Sequence, residues 1–159
     1  MLVPGDGTSD FSSNRWHHQF HKIKTFPEEL IKGREKLYLK YFYENWSGKE
    51  FTMEKDAQDK YLKAYANEEI MKSGFEYYRA LPQDIDDNIE FLKKGKLHTP
   101  FLGIAGKDGY GRGIEIILNS LNRITNNFEG YEISSAGHWV AEEEPELAAK
   151  YILEFFNKN

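Results

Sequence analysis

The stretch PFLGIAGKDGYGRG, residues 100–113, decides the fold. Its apolar run FLGIAG, bounded by proline on one side and glycines on the other, is the pattern of a strand buried on both faces, and such strands belong to parallel sheets covered by helices. Downstream, Gly113 to Thr125 has helical spacing and Gly130 to Ser134 is a second short strand. Pro145 to Phe156 is a closing amphipathic helix with Leu147, Tyr151, Ile152, Phe155 and Phe156 on its apolar side. The order strand, helix, strand, helix predicts parallel α/β architecture. Two parallel strands alone leave edges with unpaired backbone groups, so something is expected to cover them.

Upstream of Pro100 the pattern is different. Pro27 suits the first turn of a helix, Glu28 and Glu29 suit its positive end, and Leu30, Ile31, Leu37, Tyr38, Tyr41 and Phe42 recur at helical spacing up to Trp46, with Ser47-Gly48 as the stop. Three more helices are expected, at about Met53 to Ala66, Glu68 to Ala80 and Pro82 to Lys94, with Thr52 and Asn67 as caps and Pro82 at a helix start. Residues 1–15, MLVPGDGTSDFSSNR, have the Gly, Ser and Asp content of a loop. The expected division is a loop leading into the cap (residues 1–24), a helical region (25–97) and an α/β segment (98–159).

The chain has 159 residues, of which 40% are hydrophobic and 15% aromatic, so it can bury a core. No stretch approaches the roughly 20 apolar residues needed to span a bilayer. A formal charge of -5, with lysines alternating with glutamates, gives no field attractive to phosphate backbones, so neither nucleic acid nor a membrane is an expected partner. Cysteine is absent, which excludes disulfides and thiolate metal sites, and no basic start with an apolar run marks a signal peptide, so a cytoplasmic protein is expected.

Two residues near the strand ends can carry chemistry. His138, in SSAGHWVAEEEP (residues 134–145), follows a strand in a small glycine-marked turn, which places an imidazole at the carboxyl end of the sheet. Its unperturbed pKa near 6.5 suits a general base that activates water, and the alternative is a structural histidine. Asp108 follows the FLGIAG strand and is expected at the same edge. A carboxylate there can orient the imidazole, or it can serve the turn before Gly109 and Gly111 through local hydrogen bonds.

From PFLGIAGKD to SAGHWVAEEEPELAAKYILEFF the chain resembles the end of an α/β-hydrolase of the epoxide hydrolase and haloalkane dehalogenase group. The pieces WHHQFH (16–21), ELIKGREKLYLKYF (29–42) and SGFEYYRALPQD (73–84) are similar to the helical cap of the epoxide hydrolase branch, including a bacterial subgroup whose ring-opening pair is one His and one Tyr. The resemblance implies an α/β fold: a C-terminal fragment of an α/β-hydrolase, with an all-helical cap followed by a strand-helix-strand-helix unit of the parallel sheet. It also implies hydrolysis of a small apolar epoxide through an aspartate ester, with His138 activating the hydrolytic water and no cofactor or metal. By motif match His17 and Tyr78 are the donors to the epoxide oxygen, while Trp16 and Tyr77 line the cap pocket. Packing alone would make Tyr78 a core aromatic. His17, His18 and His21 lie close in sequence, but no carboxylate or cysteine completes a metal-ligand set at usual spacing.

The departure from the family is the nucleophile. No G-x-D-x-G or G-x-S-x-G elbow between a strand and a helix occurs in the chain; Pro4-Gly5-Asp6-Gly7 is followed by Thr, Ser and Asp and reads as a loop. The chain is therefore expected to be inactive alone, a part of a larger enzyme, with its sheet edge open to a companion chain or a second copy. In the His and Tyr subgroup the triad acid also lies upstream, which leaves the role of Asp108 open. Two alternatives are a non-catalytic binding protein that retains the cap pocket and a haloalkane or haloacid dehalogenase fragment with Trp16 and Trp139 as halide donors.

Overall fold

The computed structural model describes residues 15–158. Five helices precede the first strand: α1 (Trp16–Lys22), α2 (Phe26–Ile31), α3 (Glu35–Trp46), α4 (Lys55–Tyr65) and α5 (Glu68–Leu92). They are followed by β1 (Phe101–Gly106), α6 (Ile114–Ile124), β2 (Phe128–Ile133), α7 (Val140–Glu143) and α8 (Pro145–Lys158). The strands pair in parallel from Phe101 opposite Phe128 to Gly106 opposite Ile133, as the sequence predicts. The loop expected at Pro4–Gly7 lies outside the described residues.

The chain divides into two compact units. Of the described residues, the helical unit contains 15–41 together with Glu54–Lys93. Its core is built on Ile31, Met71 and Phe75, with Phe20, Tyr38 and Tyr65 packed against them. The α/β unit contains Phe42–Met53 and the residues from Lys94 onward. In it Ala105, Leu121, Ile124, Ile133, Ala136, Ala148 and Phe155 are buried, and so are Phe42, Trp46 and Met53 from the 42–53 segment.

Three local readings of the sequence are corrected. The helix expected to run unbroken from Pro27 to Trp46 is interrupted, because Gly33 has φ +76° and ends α2 in the left-handed region that glycine tolerates. The Gly33 N–H then donates to Glu35 Oε1 at the start of α3. The break expected at Pro82 does not occur, and α5 is one helix of 25 residues. A proline's fixed φ is helical, so the loss is confined to one backbone bond, and the turns on either side carry the helix through. Finally, α1 forms where a loop is expected, and its signal is the i, i+4 repetition of Trp16 with Phe20 and His17 with His21. Asn67 does cap α5, accepting from the N–H groups of Glu69 and Ile70, whereas Thr52 caps nothing and Glu54 precedes α4 without a side-chain bond.

Candidate functional site

In the helical unit, α1 and α5 bring together the residues expected from the cap motifs. His17 and His21 are one turn apart on α1 and both are buried, 5% and 3% exposed. Across from them on α5 stands Tyr78, whose ring lies 5.9 Å from that of His17, 5.1 Å from His18 and 4.4 Å from His21. Tyr77, one residue earlier, is 50% exposed, since successive helical residues point about 100° apart. Trp16 is 44% exposed and packs edge-on against Tyr41.

Two groups missed by the sequence reading complete this cluster. The Tyr38 hydroxyl and His21 Nε2 are hydrogen-bonded, and the His21 ring lies 5.0 Å from Phe75. Burial, reinforced by the charges of His17, His18 and Arg79, lowers the His21 pKa to about 3, so the ring is neutral at physiological pH. Burial also pushes the Tyr38 phenol well above its ordinary value. Within the cluster, His21 and Tyr38 are therefore a neutral pair joined by a hydrogen bond.

Beside it, Arg79 is held by Glu28 through Nη1 at 2.7 Å and Nη2 at 3.0 Å, and its Nη2 also donates to the Ile23 carbonyl. This guanidinium holds the Glu28 carboxyl below its usual range. The arrangement ties the α1–α2 turn and α2 to the turn of α5 that carries Tyr78. Among the described residues no group of three His, Asp or Glu side chains is placed to hold a metal ion.

In the α/β unit, β1 and β2 end together, and the loops that follow carry Asp108 and His138. Their backbones touch: Asp108 N–H donates to the Ala136 carbonyl at 2.9 Å. His138 is exposed and stands among rings. Trp46 lies 4.8 Å away edge-to-face, Trp139 4.9 Å and Tyr110 5.9 Å, and Tyr110 stacks flat on Trp46 at 4.8 Å. The His138 N–H donates to the Trp46 carbonyl at 2.8 Å.

The Asp108 carboxylate is engaged by Lys49. Its Oδ2 accepts from Lys49 N–H at 2.6 Å, and Lys49 Nζ lies 3.5 Å from Oδ1. The N–H groups of Lys49 and Gly109, with the Lys49 charge, hold its carboxyl below the usual range. Its visible work is to fix the turn at residues 47–49 against the end of β1.

That turn is the part of the site least visible in the sequence. Gly48 N–H donates to Glu143 Oε2 at 2.7 Å, and Gly137 is pressed against the same segment. A Cβ at Gly137 would lie 2.4 Å from the Gly48 nitrogen and 2.7 Å from the Trp46 carbonyl oxygen, so only glycine lets these backbones meet. The sequence reading treats Ser47-Gly48 as the end of a helix and nothing more. Trp139 Nε1 is buried without a hydrogen-bond partner among the described residues.

No family model matches the chain, and no curated protein matches it either. Solved structures do. Cfl2 from Burkholderia cenocepacia is 25% identical with a TM-score of 0.77, over 89% of this chain and 47% of its own. A Pseudomonas aeruginosa protein classed provisionally as an epoxide hydrolase is 19% identical with a TM-score of 0.83, over 99% of this chain and 55% of its own. The epoxide hydrolase CorEH is 22% identical with a TM-score of 0.78, over 89% and 50%. The chain spans about half the length of these structures.

Proposed function

We propose that this chain, which has the fold of the cap and C-terminal core segment of an α/β-hydrolase, is the part of an epoxide hydrolase-like enzyme that supplies the ring-opening donors and the hydrolytic base. The observation that carries the reading is the meeting of the Tyr78 ring with the buried His17 ring, from two helices far apart in sequence. In this reading the nucleophile belongs to residues outside this chain: the sequence has no G-x-D-x-G or G-x-S-x-G motif, and among the described residues no carboxylate or serine stands on a sharp strand-to-helix elbow.

In this reading a carboxylate oxygen of that nucleophile attacks one carbon of a small apolar epoxide. The new C–O ester bond forms as the ring C–O bond breaks, and the ring oxygen takes its proton from Tyr78 while accepting a hydrogen bond from His17. A phenol is a good donor here since it keeps its proton at neutral pH. His138 then removes a proton from water as its oxygen adds to the ester carbonyl. The ester C–O bond breaks, the departing alkoxide takes the proton of the new carboxylic acid, and the diol leaves with the carboxylate regenerated. The proton on His138 returns through solvent to the Tyr78 phenolate. Trp16 and Tyr77 contribute apolar surface. Asp108 serves His138 indirectly, through the turn at residues 47–49.

The reading implies a companion. Among the described residues β1 is bonded along one edge only, to β2, and the indole N–H of Trp139 is buried without an acceptor. The missing strands, or a second copy of the chain, would cover that edge; Ile104→Glu should abolish such association, and because a charge in the strand also damages the fold, helical content is followed alongside. No helix among the described residues is long and apolar enough to cross a membrane.

The experiment joins this chain behind the N-terminal half of a structural neighbour and follows the two steps separately. Tyr78→Phe should slow alkylation by roughly a hundredfold, the size expected for losing one positioned acid, and leave ester hydrolysis nearly unchanged. Equal loss in both steps would indicate a collapsed cap, and no loss in either would reduce Tyr78 to packing.

A further inference from the structure

Of the run Glu142, Glu143 and Glu144, the middle carboxylate is turned inward and fully engaged. Its Oε2 accepts from Gly48 N–H at 2.7 Å and Gly137 N–H at 2.8 Å, and its Oε1 accepts from Trp139 N–H at 2.8 Å. Gly137 and Trp139 are the residues on either side of His138, whose own N–H is bonded to the Trp46 carbonyl at 2.8 Å. All the N–H groups from 137 to 139 are thereby fixed, two of them by one side chain. Hydrogen bonds to an ionised acceptor are about twice as strong as neutral ones, and a carboxylate can take several at once. With the backbone locked, the imidazole keeps only its side-chain torsions, and Trp46 and Trp139 wall it on two sides.

We propose that Glu143 is the positioning residue for His138: it fixes the loop that presents the imidazole and joins that loop to the turn at Gly48. Asp108 braces the same turn from the other side through Lys49. Both carboxylates thus act on the main chain around His138, Glu143 through Gly48, Gly137 and Trp139 and Asp108 through Lys49. This rests on reading His138 as the base, but it concerns where the ring is held, so it is tested without turnover.

The test is NMR of the intact chain, uniformly labelled, against Glu143→Gln. Glutamine keeps the size of the side chain but sets an amide N–H₂ towards one of the backbone donors, so the three bonds cannot all survive. The amides of Gly48, Gly137 and Trp139 should lose their downfield displacement together. They should also exchange roughly tenfold to a hundredfold faster. The His138 ring protons should lose the ring-current shift imposed by Trp46 and Trp139, while the His17 and His21 signals of the helical unit stay in place.

A folded variant with His138 ring signals unchanged would overturn the proposal. If the variant does not fold, hydrogen exchange of the unmodified chain decides. Joint protection of the Gly48, Gly137 and Trp139 amides supports the clamp, and exchange at the rate of open loop amides contradicts it. Failure here leaves the base assignment standing, since that is tested by trapping an ester in a His138→Gln enzyme.

Discussion

In the helical unit the candidate residues are held by one another's side chains, His21 by Tyr38 and Phe75, Tyr78 by His17, His18 and His21. In the α/β unit His138 is held through its backbone, by Trp46 and by the carboxylate of Glu143. The first construction depends on the buried His21 ring remaining neutral, so proton concentration is its weakness. The second depends on the close approach of main chains, so a single added methyl is its weakness. Each perturbation should strike one unit and spare the other.

The largest effect is expected from acid. The His21 pKa is lowered to about 3 in the folded chain against about 6.5 unfolded, so the unfolded chain binds more protons between these values. The stabilisation is fully present above pH 6.5 and is lost as pH falls towards 3, a loss on the order of 4 kcal/mol across the window. Helical content followed from pH 7 to pH 3 should fall in this range, and His21→Phe should flatten the slope. A profile indifferent to that substitution would show that His21 is not the titrating group.

Next comes Gly137→Ala, whose Cβ would meet the backbone at Trp46, Ser47 and Gly48 with nothing flexible to yield. We expect a loss of about 3 kcal/mol in the α/β unit, read by chemical denaturation through Trp46 and Trp139 fluorescence. The His21-dependent acid transition should be unaltered. A loss below about 1 kcal/mol would mean that the junction is looser than its geometry.

Arg79→Met breaks the pair with Glu28 and leaves a half-buried carboxylate without its guanidinium. The expected cost is about 3 kcal/mol to the helical unit. Glu28 should titrate at higher pH in the variant, because its lowered pKa comes first from the Arg79 bond. In the parent, the stability due to this pair is present above the ordinary carboxylate range and is lost as pH falls through the lowered value. The smallest effect is that of Asn67→Ala, which removes the cap of α5 and should cost about 1 kcal/mol, with no consequence at His138.

The parallel strands, α6, α8 and the cap of α5 are legible in the sequence because each follows from local pattern: an apolar run between proline and glycine, a 3.6-residue stripe, an Asn before two glutamates. The break at Gly33 and the passage through Pro82 are local too, but there one residue's backbone preference competes with the periodicity around it. What could not be read are the long-range bonds. Nothing near Gly48 says that it will meet Glu143, and nothing in a row of glutamates says which will turn inward. For Asp108 the sequence places the residue correctly at the sheet edge, yet its partner is Lys49, from a segment that looks like a helix end. His17 and Tyr78 were reached by resemblance of short motifs, and His21 and Tyr38 were not, although all four are in one cluster.

In the proposed function this chain carries the base and donors of an ester-forming hydrolysis whose nucleophile lies elsewhere. The most direct test is the intact mass of the chain joined to a nucleophile-bearing N-terminal half, carrying His138→Gln and incubated with a small apolar epoxide. Attack by the carboxylate needs no base, so a stoichiometric adduct of one epoxide per chain should form and persist, while the parent fusion turns over and shows none. A variant that turns over at the parent rate, or that never acquires the adduct while the parent does, would contradict it.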